Sequence, residues 1–201
     1  MSQYVFASNN PGKVLDLKAI FRDEGLDLLS LHDLGLDISP DETGSTFEEN
    51  SLIKATEIAK FLRDSGKDYV VLADDSGLVI DVMDGLPGVD SALFMGADTS
   101  YDVRNSHILE TLKDAPEDKR TARFVCVITC VFPSGEVLTT RGELEGIIAH
   151  AAKGANGFGY DPIVYVPAYS KTVAELTHEE KNKISHRGQA LRAMLRKLKE
   201  R

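Results

Sequence analysis

Two adjacent carboxylates, Asp74 and Asp75, interrupt an apolar part of this chain of 201 residues. The flanking runs, residues 68–73 and 78–82, are rich in branched aliphatic side chains and predict two buried strands. The polar residues and glycine between the runs favour a tight turn. Acidic side chains where a buried strand ends are costly unless a cation or hydrogen-bond donors neutralise them. The pair is therefore the first candidate for chemistry.

A divalent cation is one way to neutralise these carboxylates. Magnesium prefers carboxylate oxygens and commonly bridges the phosphates of a substrate. A carboxylate oxygen that does not bind the metal could accept a proton from an attacking water. A second acidic pair, Asp41 and Glu42, lies upstream. The alternative is an Asp-rich turn whose side chains only cap local amides.

A polar turn between a predicted strand and a predicted helix is the second candidate. The free amides and the dipole of a helix N-terminus favour an anion, and a lysine there could add a charge-assisted contact. The turn is not a Walker A loop, so a capped turn with a solvated lysine is the alternative. Its residues are Ser8, Asn9, Asn10, Pro11, Gly12 and Lys13.

A glycine-rich segment, residues 154–162, is the third candidate. Three glycines let the backbone bend closely around a ligand, and Phe158 and Tyr160 stand among them. Aromatic faces stack well on nucleic-acid bases. A structural loop with both aromatic side chains in the core explains the segment equally well.

A basic stretch, residues 181–188, precedes the last amphipathic helix and is the fourth candidate. Its donors, gathered near an aromatic loop, could read the carbonyl oxygen of a purine. The alternative is a solvated positive face with Ser185 as a helix N-cap.

Several elements are predicted around these segments. Helices are expected after the polar turn to residue 24, from the capping box Thr46 to Glu49 as far as about residue 63, over residues 102–113, and near the C-terminus. Strands are expected at residues 5–7, 26–31, 123–132, 136–141 and 162–166, with a hairpin between the third and fourth. The mixture predicts an α/β fold with a mixed central sheet flanked by helices.

Composition narrows the class of protein. The net charge of −9 disfavours binding of duplex DNA or RNA through a broad basic surface, although a nucleotide substrate stays possible. The first residues lack the pattern of a signal peptide, and no apolar stretch approaches the roughly 20 residues that span a bilayer. Cys126 and Cys130, four residues apart on one strand, are predicted to be buried, reduced thiols. We expect one soluble, cytoplasmic domain over residues 1–201, without nucleic-acid or membrane partners.

The candidate segments, in this order, strongly resemble the inosine triphosphate pyrophosphatase family of non-canonical purine NTP (XTP/dITP) diphosphatases. Six matching segments lie between residue 5 and residue 191. They are residues 7–13, residues 42–44 with 46–50, residues 73–78, residues 86–89 with 91–92, residues 157–162, and residues 180–181 with 184–190.

The resemblance implies an elongated fold of two lobes with the active-site cleft between them, and a homodimer. It also implies hydrolysis of ITP, dITP or XTP at the α-phosphorus with Mg²⁺, giving the monophosphate and pyrophosphate. Asp75 matches the general base and a magnesium ligand, and the second ligand aligns to Asp41 or Glu42. The polar turn, residues 8–13, matches the triphosphate cradle, with Lys54 as a supporting charge.

The resemblance assigns the remaining residues to the nucleoside, with Phe158 as the stacking partner. The assigned residues are Ser76, Phe158, Gly159, Tyr160, Asp161, Lys181, His186 and Arg187. Two other functions remain open at this point. One is a pyrophosphatase for modified pyrimidine nucleotides, although the basic stretch, residues 181–188, favours purines. The other is a nucleotide sensor that does not hydrolyse its ligand.

Overall fold

The computed structural model describes residues 3–200. In chain order, the elements are β1 (Tyr4–Phe6), α1 (Pro11–Asp23), β2 (Leu28–Ser30), α2 (Phe47–Asp64), β3 (Val70–Ile80), α3 (Tyr101–Thr111), β4 (Thr121–Val131), β5 (Val137–Ile148), β6 (Val164–Val166), β7 (Lys171–Thr172), α4 (His178–Ile184) and α5 (His186–Lys199). The strands form a sheet in the order β2-β1-β3-β4-β5-β6-β7. The mixed sheet with flanking helices confirms the predicted fold class.

The parallel part of the sheet consists of β2, β1 and β3. Tyr4 pairs with Leu28 on one side and with Val70 on the other, and both pairings are parallel. Parallel neighbours need a crossover connection, which α1 and α2 provide. The strands β5, β6 and β7 pair antiparallel. This topology places the turn before α1 directly after β1.

The strand β3 corrects one prediction. Instead of two strands around a turn at Asp74 and Asp75, it runs without interruption over Val70–Ile80. Both carboxylates lie inside the strand and are buried. They are tolerated there because the ammonium groups of Lys13 and Lys54 neutralise them.

The local signals for helices and the hairpin are confirmed. Thr46 is the N-cap of α2, and its hydroxyl and the Glu49 carboxylate form the predicted capping box. The β4–β5 hairpin is closed by the Phe132 amide, which donates to the Glu136 carbonyl at 2.9 Å. The strand β5 continues to Ile148, seven residues beyond the predicted end at residue 141.

The chain divides into two compact units. The first unit comprises residues 3–75, 126–142 and 187–200, and the second comprises Ser76–Val125 and Glu143–His186. The prediction of a single domain over residues 1–201 stays a prediction, and residues 1, 2 and 201 lie outside the described part.

Each unit has its own apolar core. In the first unit Phe6, Leu72 and Met194 are fully buried together, and in the second Ile80 and Ile108 are. The prediction for the cysteines is confirmed, since Cys126 and Cys130 are thiols buried in the first core. None of the helices over residues 3–200 is long and apolar enough to cross a membrane.

Candidate active site

The turn between β1 and α1 forms a capped helix N-terminus. Asn10 is the N-cap, its side-chain oxygen accepts from the Lys13 amide at 3.2 Å, and Pro11 occupies the first turn of the helix. The Ser8 hydroxyl accepts from the Asn10 amide, and the Asn9 side chain donates to a backbone carbonyl outside the turn. The turn is largely exposed and suits an anion. It brings together the predicted residues Ser8, Asn9, Asn10, Pro11, Gly12 and Lys13.

Behind this turn, Asp74 is the centre of a buried ion network. Lys13 Nζ donates to Asp74 Oδ1 at 3.1 Å, and Arg187 Nε donates to Asp74 Oδ2 at 3.3 Å. Arg187 also reaches the Asp16 carboxylate at 3.5 Å. Burial alone would raise the pKa of Asp74, but the two cations hold that pKa well below its usual range. Asp74 is therefore a permanent anion that holds Lys13 and Arg187 in place.

The neighbouring Asp75 has a different environment. Its Oδ1 accepts from Lys54 Nζ at 3.3 Å, and the same ammonium contacts Glu42 at 2.8 Å. Its Oδ2 is buried without a hydrogen-bond partner among residues 3–200. Burial raises the pKa of Asp75 to about 6, since the Lys54 ammonium, which lowers it, is opposed by the Glu42 carboxylate. Asp75 can therefore exchange a proton near neutral pH.

The residues around Asp75 fit a magnesium ion. Asp75 Oδ2 has no hydrogen-bond partner in the described part of the chain. Glu42, with 44% of its side chain exposed, contacts Lys54, which also contacts Asp75. Magnesium typically takes one or two carboxylates, keeps several waters and adds substrate phosphates. Within the described part of the chain, no group of three or more acidic, histidine or cysteine side chains is arranged around a common point. Asp41 is exposed and lies outside the Lys54 network.

In the second unit, residues 157–161 form what we call the aromatic loop. Phe158 is 43% exposed, whereas Tyr160 is buried and donates its hydroxyl to the Ser91 carbonyl at 2.8 Å. The two aromatic residues thus divide the two interpretations: Tyr160 lies in the core and Phe158 is accessible to a ligand.

Asp161 determines the conformation of this loop. Its Oδ2 accepts from the Phe158 amide at 2.9 Å and from Lys181 Nζ at 2.6 Å. Lys181 Nζ in turn lies 4.9 Å from the centre of the Phe158 ring, at cation–π distance. Gly157 is required here because an added Cβ would lie 2.0 Å from Asp161 Oδ2. One carboxylate therefore fixes both the aromatic ring and the ammonium beside it.

The remaining predicted residues lie in three different environments. His186 is buried and stacks on Phe124, with ring centres 5.0 Å apart and 17° between the planes. Ser76 is half-buried in β3, the first residue of the second unit. Arg187 belongs to the first unit and pairs with Asp74, so the basic side chains of residues 181–188 do not form one continuous positive surface. A base contact by Arg187 stays a prediction.

Sequence reasoning missed two residues of α3. Asn105 Nδ2 donates to the Gly159 carbonyl of the aromatic loop at 3.0 Å, and the Arg104 guanidinium donates to the Ser91 carbonyl at 3.4 Å. Both side chains are buried. No sequence motif marks a polar pair inside a helix. Arg104 and Asn105 nevertheless lie three and four residues after Tyr101, and this spacing places all three residues on one face of the helix.

The chain is similar to named proteins along almost its whole length. The model of the Ham1 family matches residues 4–197. A Clostridium perfringens protein named dITP/XTP pyrophosphatase is 46% identical over 200 residues, which are 99% of this chain and 98% of the relative. An Escherichia coli K12 protein of the same name is 45% identical over 197 residues, which are 97% of each chain.

A solved structure agrees with these relatives. A HAM1 protein from Coxiella burnetii is 40% identical, matches with a TM-score of 0.88, and the match covers 100% of both chains. The family model, the relatives and the fold confirm the resemblance on which the site was predicted. The chain belongs to the Ham1 family.

Proposed function

We propose that this chain hydrolyses the non-canonical purine nucleoside triphosphates XTP, ITP and dITP to the monophosphate and pyrophosphate, which prevents their incorporation into DNA and RNA. The observation that carries the proposal is Asp75. It combines a buried, unpartnered oxygen with a pKa raised to about 6, beside Lys54 and Glu42. The names of the relatives support the choice of substrate.

The residues of the first unit account for the reaction. The Asp75 carboxylate accepts a proton from a water, whose oxygen attacks the α-phosphorus. The bond between the α-phosphorus and the bridging oxygen then breaks, and pyrophosphate leaves. The amides of the turn before α1, together with Lys13 and Lys54, hold the phosphate oxygens and offset their charge. The ion pair with Asp74 fixes the position of Lys13.

We assign Mg²⁺ to this reaction, with Asp75 and Glu42 as the residues that would hold it. When bound, the ion supplies positive charge to the triphosphate and orients it. Asp41 is the less favoured second ligand because it lies outside the Lys54 network, whereas Glu42 belongs to it.

The second unit accounts for selection of the base. Phe158 presents its exposed ring for stacking, and Lys181 lies beside that ring. Donors from Lys181, His186 or Arg187 would pair with the 6-keto oxygen of hypoxanthine or xanthine. The 6-amino group of adenine would leave such a donor unpaired, which a buried polar site rejects strongly. Of the three, Lys181 is favoured because its ammonium already lies over Phe158.

We also propose that the protein acts as a homodimer in the cytoplasm, as the family resemblance implies. Size-exclusion chromatography with light scattering tests the dimer. A monomer mass at micromolar concentration would contradict it.

A panel of nucleoside triphosphates tests the function. Purified protein is incubated with ITP, dITP, XTP, ATP, GTP and modified pyrimidine triphosphates, with magnesium or with EDTA. We expect pyrophosphate and monophosphate from ITP, dITP and XTP, and loss of turnover in EDTA. Orthophosphate with IDP would refute cleavage at the α-phosphorus. Preference for pyrimidines would refute the base assignment, and binding without any product would indicate a sensor.

A further inference from the structure

One face of α3 lies against the aromatic loop. Tyr101, Arg104 and Asn105 share this face because they are three and four residues apart. The Tyr101 ring packs edge-on against Tyr160, with centres 5.2 Å apart. Asn105 Nδ2 donates to the Gly159 carbonyl at 3.0 Å. The helix therefore contacts the loop through both an aromatic ring and an amide.

Other contacts hold the loop at its two ends. Before Gly159, the Phe158 amide donates to the Asp161 carboxylate. After Gly159, the Tyr160 hydroxyl donates to the Ser91 carbonyl, which also accepts from Arg104. Gly159 lies between these two contacts; its φ of +69° is left-handed, and its lack of a side chain leaves its peptide easy to reorient. The Asn105 amide holds this central peptide.

The buried side chain of Asn105 is explained by its hydrogen bond to the Gly159 carbonyl. The side chain is 4% exposed, and its Oδ1 is buried without a hydrogen-bond partner among residues 3–200. Burying an unpaired amide oxygen costs free energy, which a leucine of similar size would avoid. What asparagine offers instead is the Nδ2 donor to Gly159. The site is thus explained by the loop and not by packing of the core.

We propose that Asn105 is a positioning residue for the base-binding loop. By holding the Gly159 carbonyl, Asn105 fixes the peptide between Gly159 and Tyr160, one residue after Phe158, and keeps the exposed ring in the orientation that stacks on a base. Asn105 itself does not touch the substrate. The proposal rests on the proposed function for the identity of the ligand, but the order that it gives to the loop does not depend on any ligand.

Steady-state kinetics with ITP and magnesium test the proposal. Asn105→Leu keeps the volume and removes both polar atoms, so the lost bond to Gly159 is offset by removal of the buried, unpaired Oδ1 and the Tm is expected to stay close to that of the parent. We expect its KM to rise roughly threefold to tenfold, the range that one neutral hydrogen bond provides, with kcat within a factor of about two. The control is Ile108→Val on the same helix, at a core position that is fully buried. It should lower the Tm and leave KM unchanged.

A fluorescent reporter tests the order of the loop directly. The chain contains no tryptophan, so Phe158→Trp introduces a single indole into the loop. In this background and without substrate, Asn105→Leu should lower the anisotropy of the indole and increase its quenching by acrylamide, whereas Ile108→Val should change neither. Unchanged anisotropy and unchanged KM in Asn105→Leu would overturn the proposal. If no variant hydrolyses ITP, the proposed function fails, while the anisotropy still decides the role of Asn105.

Discussion

The ion network of the first unit and the aromatic loop of the second unit are held together by different forces. Around Asp74 and Asp75, the contacts are buried ion pairs in which each carboxylate faces a cation. Around Phe158, hydrogen bonds of the loop backbone, such as that from the Phe158 amide to Asp161, hold a ring that is itself partly exposed. Removing one charge from the network leaves a buried opposite charge only partly compensated, whereas removing the Phe158 ring takes away a side chain that is already partly exposed. We therefore expect changes in the network to affect turnover and stability, and changes in the loop to affect KM.

The largest effect is expected from Asp75→Asn. The amide keeps the shape of the side chain but cannot accept the proton of the attacking water. Turnover of ITP should fall by about a hundredfold to ten-thousandfold, the range for general-base groups. Pyrophosphate release is measured, and circular dichroism checks that the fold persists.

An exposed carboxylate of the second unit provides the control. Asp90→Asn makes the same chemical change outside the ion network, so turnover should stay near that of the parent. Turnover of Asp75→Asn close to the parent value would remove Asp75 from the role of base.

The next effect concerns stability and comes from Asp74→Asn. The substitution removes the buried carboxylate that faces the Arg187 guanidinium, of which 4% is exposed, and keeps the contact of Arg187 with the less buried Asp16. Breaking a buried ion pair in this way costs about 3–5 kcal/mol of the free energy of unfolding. Urea unfolding followed by circular dichroism measures the loss.

Glu48→Gln is the matched control for this change. It removes the carboxylate of an ion pair with Arg141 in which both side chains are more than 40% exposed, at 2.7 Å. Exposed pairs contribute about 0–1 kcal/mol, so little stability should be lost although this pair is the shorter one. Equal losses in both variants would show that burial does not govern these ion pairs.

The same contrast explains how far the sequence predicted the structure. Local signals were sufficient for α2, because the capping box from Thr46 to Glu49 satisfies neighbouring backbone groups. They failed at Asp74 and Asp75, where acidic residues and a glycine favour a turn. The strand continues there because Lys13 and Lys54, distant in sequence, neutralise the carboxylates, and no local pattern contains such pairings.

The candidate site shows the same division between local and long-range information. The turn from Ser8 to Lys13 was predicted as a helix N-terminus because its caps are adjacent in sequence. The pairing of Arg187 with Asp74 spans 113 residues and could not be predicted. The contact of Asn105 with the aromatic loop likewise depends on how α3 packs.

A smaller effect concerns the dependence of stability on pH. The pKa of Asp75 is about 6 in the folded protein and about 3.9 when unfolded, so the folded state binds the proton more tightly. Between about pH 4 and pH 6, the wild type should therefore lose stability as the pH rises, relative to Asp75→Asn, which does not titrate there. The total is on the order of 2–3 kcal/mol and levels off above pH 6. Urea unfolding in EDTA over pH 4–8 measures it, and a difference independent of pH would contradict it.

The smallest effect is expected from Phe158→Ala, the change that tests the loop alone. The ring is 43% exposed, so its loss should change the Tm little, while a base loses a stacking contact of about 1–3 kcal/mol. KM for ITP should then rise roughly fivefold to 150-fold with kcat much less affected. Phe158→Tyr keeps an aromatic face and should stay close to the parent. If Phe158→Ala instead lowers the Tm by several degrees and leaves KM unchanged, the ring supports the fold, and the division between a charged region for turnover and an aromatic region for affinity is wrong.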